Sequence, residues 1–156
     1  MSRAFVRESD ADPGQLPDRP ISPHPNFVTR GGLAAIEARV RELEAQRQQV
    51  REHDAAAQRA SIERELRYWS ARRASARLVE PVPSDRVRFG MRVMLRLPTG
   101  VTQAFRLVGE DEADASSGLI SWMAPLAQAL LGRESGESGE SVPFQGGEAE
   151  ILSIEP

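Results

Sequence analysis

The sequence predicts an α+β fold in which an antiparallel helical hairpin precedes a small, mainly antiparallel β domain. Apolar residues recur with a helical period in the first half of the chain and with a period of two in the second half. Pro81 and Pro83 separate the two patterns. We therefore expect a disordered tail over residues 1–26, a coiled-coil hairpin over 27–79 and the β domain over 80–156.

The tail contains five prolines and three aspartates. A segment of this composition buries too little apolar surface to offset the entropy lost on ordering. It also lacks the apolar stretch of a signal peptide. Since no apolar run in the chain approaches the roughly 20 residues that span a bilayer, we expect a soluble, cytoplasmic protein without a membrane partner.

Two apolar repeats predict the hairpin. The first runs from Leu33 to Val50 with spacings of 3, 4, 3 and 7, which is the seam of a coiled coil. Thr29 precedes it as the N-cap, with Phe27 and Val28 as a hydrophobic staple. The members of this first seam are Leu33, Ile36, Val40, Leu43 and Val50.

The second repeat consists of Ile62, Leu66, Trp69 and Ala76, and Arg73 interrupts it. An amphipathic helix cannot bury its stripe alone, so the two helices should pair around a turn near 52–56. Each arm then has about 20 residues and a length of about 30 Å. One continuous helix that dimerises remains the alternative, because periodicity does not separate the two.

After Pro83, apolar residues alternate with polar ones, the pattern of half-buried strands. Turn signals stand at residues 98–100 and 146–147. In chain order, we expect strand-like alternation at 87–89, strands at 93–97, 101–108, 119–123 and 149–154, a helix begun by Pro125 over 126–131, and a mobile loop over 133–141.

The composition excludes several kinds of chemistry. The chain has no cysteine and no lysine, which leaves no disulfide, thiolate or Schiff-base lysine. Residues 30–77 carry 11 arginines against 7 acidic residues, whereas residues 80–156 carry 6 against 12. A basic rod on an acidic domain indicates a protein partner, with only weak, salt-sensitive contact to nucleic acid.

Five short motifs occur in the second half of the chain. They are Val87-Arg88-Phe89-Gly90, Val108-Gly109-Glu110-Asp111-Glu112-Ala113-Asp114, Leu119-Ile120-Ser121, Ala124-Pro125-Leu126-Ala127 with Ala129-Leu130-Leu131-Gly132, and Gly146-Gly147-Glu148 with Ile151-Leu152. In this order and spacing they resemble the Gre family of bacterial transcription-elongation factors. Phe27-Val28-Thr29 with Gly32 is similar to the family's N-terminal start. The resemblance covers residues 26–155.

The resemblance implies a coiled coil followed by an FKBP-like C-terminal domain. It implies that this domain docks at the rim of the secondary channel of core RNA polymerase and that the coiled coil enters the channel. In the family, acidic tip residues help to hold a magnesium ion at the polymerase's own active site. Such a factor is not a free-standing enzyme. We expect no catalytic residue, cofactor or metal site of its own, beyond indirect contact with the polymerase-bound magnesium.

The hairpin departs from the family in length and at its tip. It is about 18 residues shorter, or about 9 per arm, which shortens its reach by about 13 Å at 1.5 Å per residue. The family's acidic tip run has no clean counterpart, and Glu52 and Asp54 are the acidic residues nearest the expected turn. They could assist a metal, but a solvated turn with Asp54 as a helix cap is the plainer interpretation.

By the same resemblance, the polymerase-binding residues are Asp111, Glu112, Asp114 and Pro125. Carboxylates in this run could pair with arginines of the polymerase, which gives orientation and a faster on-rate. An acidic loop that is merely solvated is the alternative.

Three functions follow, in order of preference. The first is a factor that binds RNA polymerase and regulates elongation with weak or no stimulation of transcript cleavage. The second is a cleavage-stimulating factor with an altered acidic tip. The third is an FKBP-like interaction or prolyl-isomerase module, for which an aromatic content of 5% leaves little material.

Overall fold

The computed structural model describes residues 16–50, 56–135 and 140–156, and these residues form the predicted α+β architecture. Two helices come first, and a mainly antiparallel sheet with a short helix follows. The elements are β1 (Phe27–Val28), α1 (Arg30–Gln49), α2 (Ala56–Ser75), β2 (Arg77–Leu78), β3 (Arg92–Arg96), β4 (Thr102–Val108), a 3₁₀ turn (Ala115–Ser117), β5 (Leu119–Ser121), α3 (Pro125–Leu130), β6 (Ser141–Phe144) and β7 (Gly147–Glu155).

The predicted seam lies between α1 and α2. Ile36, Val40 and Leu43 of α1 and Ile62 of α2 are buried. Each helix has 20 residues, as predicted. Val50 is extended and ends α1, which excludes one continuous helix. Because only a short connection joins the two packed helices, they run antiparallel.

A two-stranded parallel sheet closes the base of the hairpin, and the sequence did not predict it. In it, β1 pairs with β2 through Phe27 opposite Arg77 and Val28 opposite Leu78. The amide of Arg77 donates to the carbonyl of Asn26 at 2.8 Å. Strands of two residues are too short to show a period, which explains why periodicity missed them.

The C-terminal domain is a five-stranded sheet with strand order β5-β4-β3-β7-β6 within the described residues. The central strand β3 pairs antiparallel with β4 and β7, and β5 joins β4 in parallel. Inward-facing residues of these strands pack beneath α3. The buried core consists of Val87, Val93, Leu95, Phe105, Leu107, Ala127, Leu130, Val142, Ala149 and Ile151.

Two local predictions differ from the structure. The segment around Val87 is not a regular strand, although Val87 enters the core and its amide donates to the carbonyl of Arg133 at 2.8 Å. The expected loop over 133–141 reaches into β6, an edge strand that pairs with β7. Residues 136–139 of that loop lie outside the described residues.

Part of the predicted disordered tail has defined contacts. Residues 1–15 lie outside the described residues, but 16–26 lie along α2. Arg19 forms an ion pair with Glu65 at 2.8 Å, and Asp18 pairs with Arg67 at 2.6 Å. Complementary charges on α2 therefore give residues 16–26 contacts that composition alone does not reveal.

Candidate functional site

The acidic run over residues 109–114 follows β4 and faces the base of the hairpin. Only 11% of the Asp111 side chain is exposed. Its carboxylate accepts hydrogen bonds from the hydroxyl of Tyr68 and from Nε of Arg72, both at 2.5 Å. Because both donors lie on α2, this run joins the C-terminal domain to the hairpin.

Arg72 lies in the last turn of α2 with 1% of its surface exposed. Its Nη2 donates to Oδ1 of Asn26 at 2.7 Å and lies 3.8 Å from a carboxylate oxygen of Glu110. Nδ2 of Asn26 donates in return to the Arg72 carbonyl at 2.7 Å. A buried charge needs such partners, since losing one is strongly destabilising. We refer to Asn26, Tyr68, Arg72 and Asp111 as the clasp.

Tyr68 contributes a neutral donor to the clasp. Its partial burial, followed by the hydrogen bond to Asp111 and the negative charge there, raises the pKa of Tyr68 to about 12. The guanidinium of Arg19 lies 3.8 Å from the centre of the ring. The phenol therefore stays protonated at neutral pH and keeps its hydrogen bond to the carboxylate.

Glu112 holds the start of α1. The hydroxyl of Thr29 donates to Oε2 of Glu112 at 2.6 Å and accepts from the amide of Gly32 at 3.0 Å, which confirms the predicted N-cap. A carboxylate near a helix N-terminus is also favoured by the helix dipole. A Cβ at Gly32 would lie 2.5 Å from the same carboxylate oxygen. Glycine therefore leaves room for Glu112.

Gly109 lets the acidic run approach β1. A Cβ built on it would lie 2.5 Å from the carbonyl oxygen of Phe27, closer than real Cβ contacts come. The opposing atom belongs to the backbone and cannot rotate away. Glycine at this position therefore permits close contact between the C-terminal domain and the base of the hairpin.

Asp114 has a different local role. Its Oδ1 accepts from the amide and the hydroxyl of Ser116 at 3.0 and 2.6 Å, and its Oδ2 accepts from the hydroxyl of Ser117 at 2.6 Å. The side-chain bonds from Ser116 and Ser117 lower the pKa of Asp114. The residue is exposed. It caps the 3₁₀ turn while part of its surface stays exposed.

Pro125 does not belong to the acidic run and is the exposed first residue of α3. The loop before it packs on the base of the hairpin through aromatic rings. Trp122 and Phe27 have ring centroids 5.1 Å apart, and Phe27 and Phe89 have centroids 6.0 Å apart. The loop that presents Pro125 is therefore held against β1.

Comparisons with known proteins agree with these motifs. The family model "Transcription elongation factor, GreA/GreB, C-term" matches residues 82–156. A GreA of Pseudomonas aeruginosa is 31% identical over 136 residues, which is 85% of each chain. This chain belongs to the GreA/GreB family. A GreB of Neisseria meningitidis serogroup B is 38% identical over 98 residues, and the match spans only 60% of that protein.

Among solved structures, a GreA/GreB factor of Nitrosomonas europaea is 22% identical, with a TM-score of 0.40, and covers 85% of this chain and 99% of its own. The Gfh1 protein of Thermus thermophilus has a TM-score of 0.39 at 20% identity. The membership of this chain in the GreA/GreB family therefore rests on the sequence relatives.

The expected coiled-coil tip residues of this GreA/GreB chain, Glu52 and Asp54, lie outside the described residues. In the part of the chain that the structure describes, no cluster of three His, Cys, Asp or Glu side chains could hold a metal ion. No helix there is long and apolar enough to cross a membrane.

The sequence marks the acidic run but not its partners within the chain. Asn26, Tyr68 and Arg72 carry no pattern that marks them, since they are 39 to 46 positions from the residues they bind. One signal was available. Arg72 stands beside the seam of α2, and a charge next to a seam needs a partner if the fold buries it.

Proposed function

We propose that this chain binds bacterial core RNA polymerase at the secondary channel and regulates transcription elongation, with weak or no stimulation of transcript cleavage. The main support is membership of the GreA/GreB family, with a model match over residues 82–156. The chain would act on the polymerase rather than as a free-standing enzyme.

The short hairpin supports the part of the proposal that concerns cleavage. Each arm has 20 residues, or about 30 Å at 1.5 Å per residue. A deficit of about 13 Å relative to the family is large, since a misplacement of about 1 Å can cost about 100-fold in rate. If docking resembles that of the family, the tip stops short of the polymerase metals.

Within the predicted binding set, we assign the polymerase contact to the exposed start of α3 at Pro125, with Asp114 as a second contact. Asp111 and Glu112 are occupied by Arg72 and Thr29 of this chain. Their carboxylates are therefore poor candidates for pairing with arginines of a partner, because such pairing would first break internal bonds.

Binding is tested by titrating labelled protein with core RNA polymerase. Pro125→Glu adds a charge at a helical first-turn position that tolerates it, and we expect it to weaken binding about tenfold, or about 1.4 kcal/mol. Gln103→Glu is the matched control, because it adds the same charge at an exposed position of β4. Equal affinity of Pro125→Glu and the control would overturn the assigned contact. No binding by the wild type would overturn the proposal.

Transcript cleavage is tested on stalled elongation complexes. We expect no acceleration over polymerase alone, and we expect excess protein to slow the cleavage stimulated by a full-length GreA. Acceleration by this chain would support the second function instead. In that case, Glu52→Gln with Asp54→Asn should abolish the acceleration if these tip carboxylates assist the metal.

A further inference from the structure

We propose that Arg72 is a positioning residue whose buried guanidinium fixes the angle between the hairpin and the C-terminal domain. The consequence for polymerase binding rests on the proposed function. The angle itself is a property of the chain alone and can be tested without polymerase.

The clasp joins three separate parts of the chain. Arg72 on α2 bonds to Asn26, which leads into β1, and to Asp111 of the C-terminal domain. Asn26 also bonds back to the Arg72 carbonyl. Rotation of α2 relative to the sheet domain would strain the Arg72–Asp111 bond, which joins the two parts at a charge that is nearly fully buried.

Adjacent carboxylates hold both helices of the hairpin. Asp111 binds α2 through Tyr68 and Arg72, and Glu112 binds the N-cap of α1 through Thr29. Two attachment points on one short run restrain the hairpin against tilting in more than one direction. A single contact would leave it free to pivot.

The bonds of the clasp are directional, so they fix the relative orientation of the hairpin and the C-terminal domain as well as holding them together. Apolar contact is non-directional and tolerates sliding. A guanidinium is planar and presents donors in a fixed fork, so its bonds to Asp111 and Asn26 are satisfied together in one relative orientation. A lysine at residue 72 would keep the charge but lose this geometry.

A small change in the angle between the hairpin and the C-terminal domain displaces the far end of the hairpin by several ångströms. A tilt of about 10° at the base would move the far end of an arm about 30 Å long by about 5 Å. If the hairpin enters the secondary channel as proposed, a displacement of that size would change where its tip lies. Arg72 lies at the base, where a small local change has the largest effect at the tip.

The angle is measured by the distance between two spin labels in the full chain. The absence of cysteine allows Gln48→Cys and Thr99→Cys to be labelled cleanly. Both positions are exposed, one near the far end of α1 and one in the turn between β3 and β4. We expect one narrow distance distribution in the otherwise unchanged chain.

Substitution of Arg72 should broaden the distribution while both domains stay folded by circular dichroism. We expect Arg72→Met to widen it about twofold and Arg72→Lys to widen it less, because lysine restores charge without the planar donors. Arg73→Met is the matched control, since Arg73 is exposed on the same turn. It should leave the width unchanged.

If Arg72→Met does not fold, Asp111→Asn tests the same point with nearly unchanged side-chain volume and should also broaden the distribution. A distribution as narrow as that of the wild type in whichever folded variant is measured would overturn the proposal. So would equal broadening by Arg73→Met.

Affinity for core RNA polymerase provides the second measurement. If only one hairpin angle fits the channel, apparent affinity falls with the fraction of molecules in that angle, and we expect about tenfold weaker binding for Arg72→Met. Unchanged binding despite a broadened distribution would overturn the link between angle and binding. Failure of the wild type to bind would instead overturn the proposed function, while the distance measurement would still decide the role of Arg72.

Discussion

Replacement of Gly109 by alanine tests the close approach between the C-terminal domain and the base of the hairpin. The new Cβ would lie 2.5 Å from the Phe27 carbonyl oxygen, whereas ordinary contact begins at 3.4 Å. The two segments must therefore separate by up to about 0.9 Å in a close-packed region. Overpacking of this kind costs about 1–3 kcal/mol.

The gain from restricting the unfolded chain offsets part of the steric cost of Gly109→Ala. Gly109 is not among the glycines with positive φ, so alanine can adopt its backbone conformation. Alanine restricts the unfolded chain and would by itself stabilise the protein by about 0.4–1 kcal/mol. Since the steric cost is larger, we expect a net loss of about 1–2 kcal/mol.

Urea unfolding and thermal melting measure this loss. At about 2–4 °C per kcal/mol for a chain of this size, Tm should fall by about 2–8 °C. Gly31→Ala is the control, because its Cβ would meet nothing closer than 3.5 Å and helix propensity favours alanine by up to about 1 kcal/mol. A Gly109→Ala protein as stable as the wild type would refute the steric argument.

Three further predictions concern the clasp and the start of α1. Tyr68 is the one tyrosine of the chain, so tyrosinate absorbance should report its native pKa near 12 and a lower pKa in Asp111→Asn. Because the pKa of Tyr68 in the folded protein lies above the unfolded value of about 10, the free energy of unfolding should fall as pH rises from about 10 to 12. A native titration midpoint near 10 would contradict this. Arg72→Leu should lower the free energy of unfolding by about 3–5 kcal/mol, because it leaves the carboxylate of Asp111 without its cationic partner. The control Arg73→Leu should change it by less than about 0.5 kcal/mol. Equal effects of the two substitutions in urea titrations would contradict a stabilising role for the burial of Arg72. Thr29→Val should cost about 1–2 kcal/mol through loss of the cap, against little change for the exposed Thr102→Val; a neutral Thr29→Val would remove the capping role.

Periodicity predicted the helical segments and the main strands, because it records which face of each element is buried. It did not separate a hairpin from one continuous helix. The N-cap at Thr29 was also predictable, since the cap and its target amide at Gly32 are three positions apart. The acidic run was recognisable from its sequence motif. In each case the deciding information lies within a few neighbouring positions.

Only the tertiary structure decided what the acidic run contacts. Asp111 and Glu112 bond to Arg72 and Thr29 of the same chain, and the sequence did not predict these contacts. The expected contact of this run with a partner protein stays a prediction. The pairing of β1 with β2 was likewise hidden, because two-residue strands have no period. Side-chain partners some 40 to 80 positions apart depend on how the hairpin meets the sheet domain. That meeting is set by packing at the base of the hairpin, which local sequence does not encode in any readable pattern.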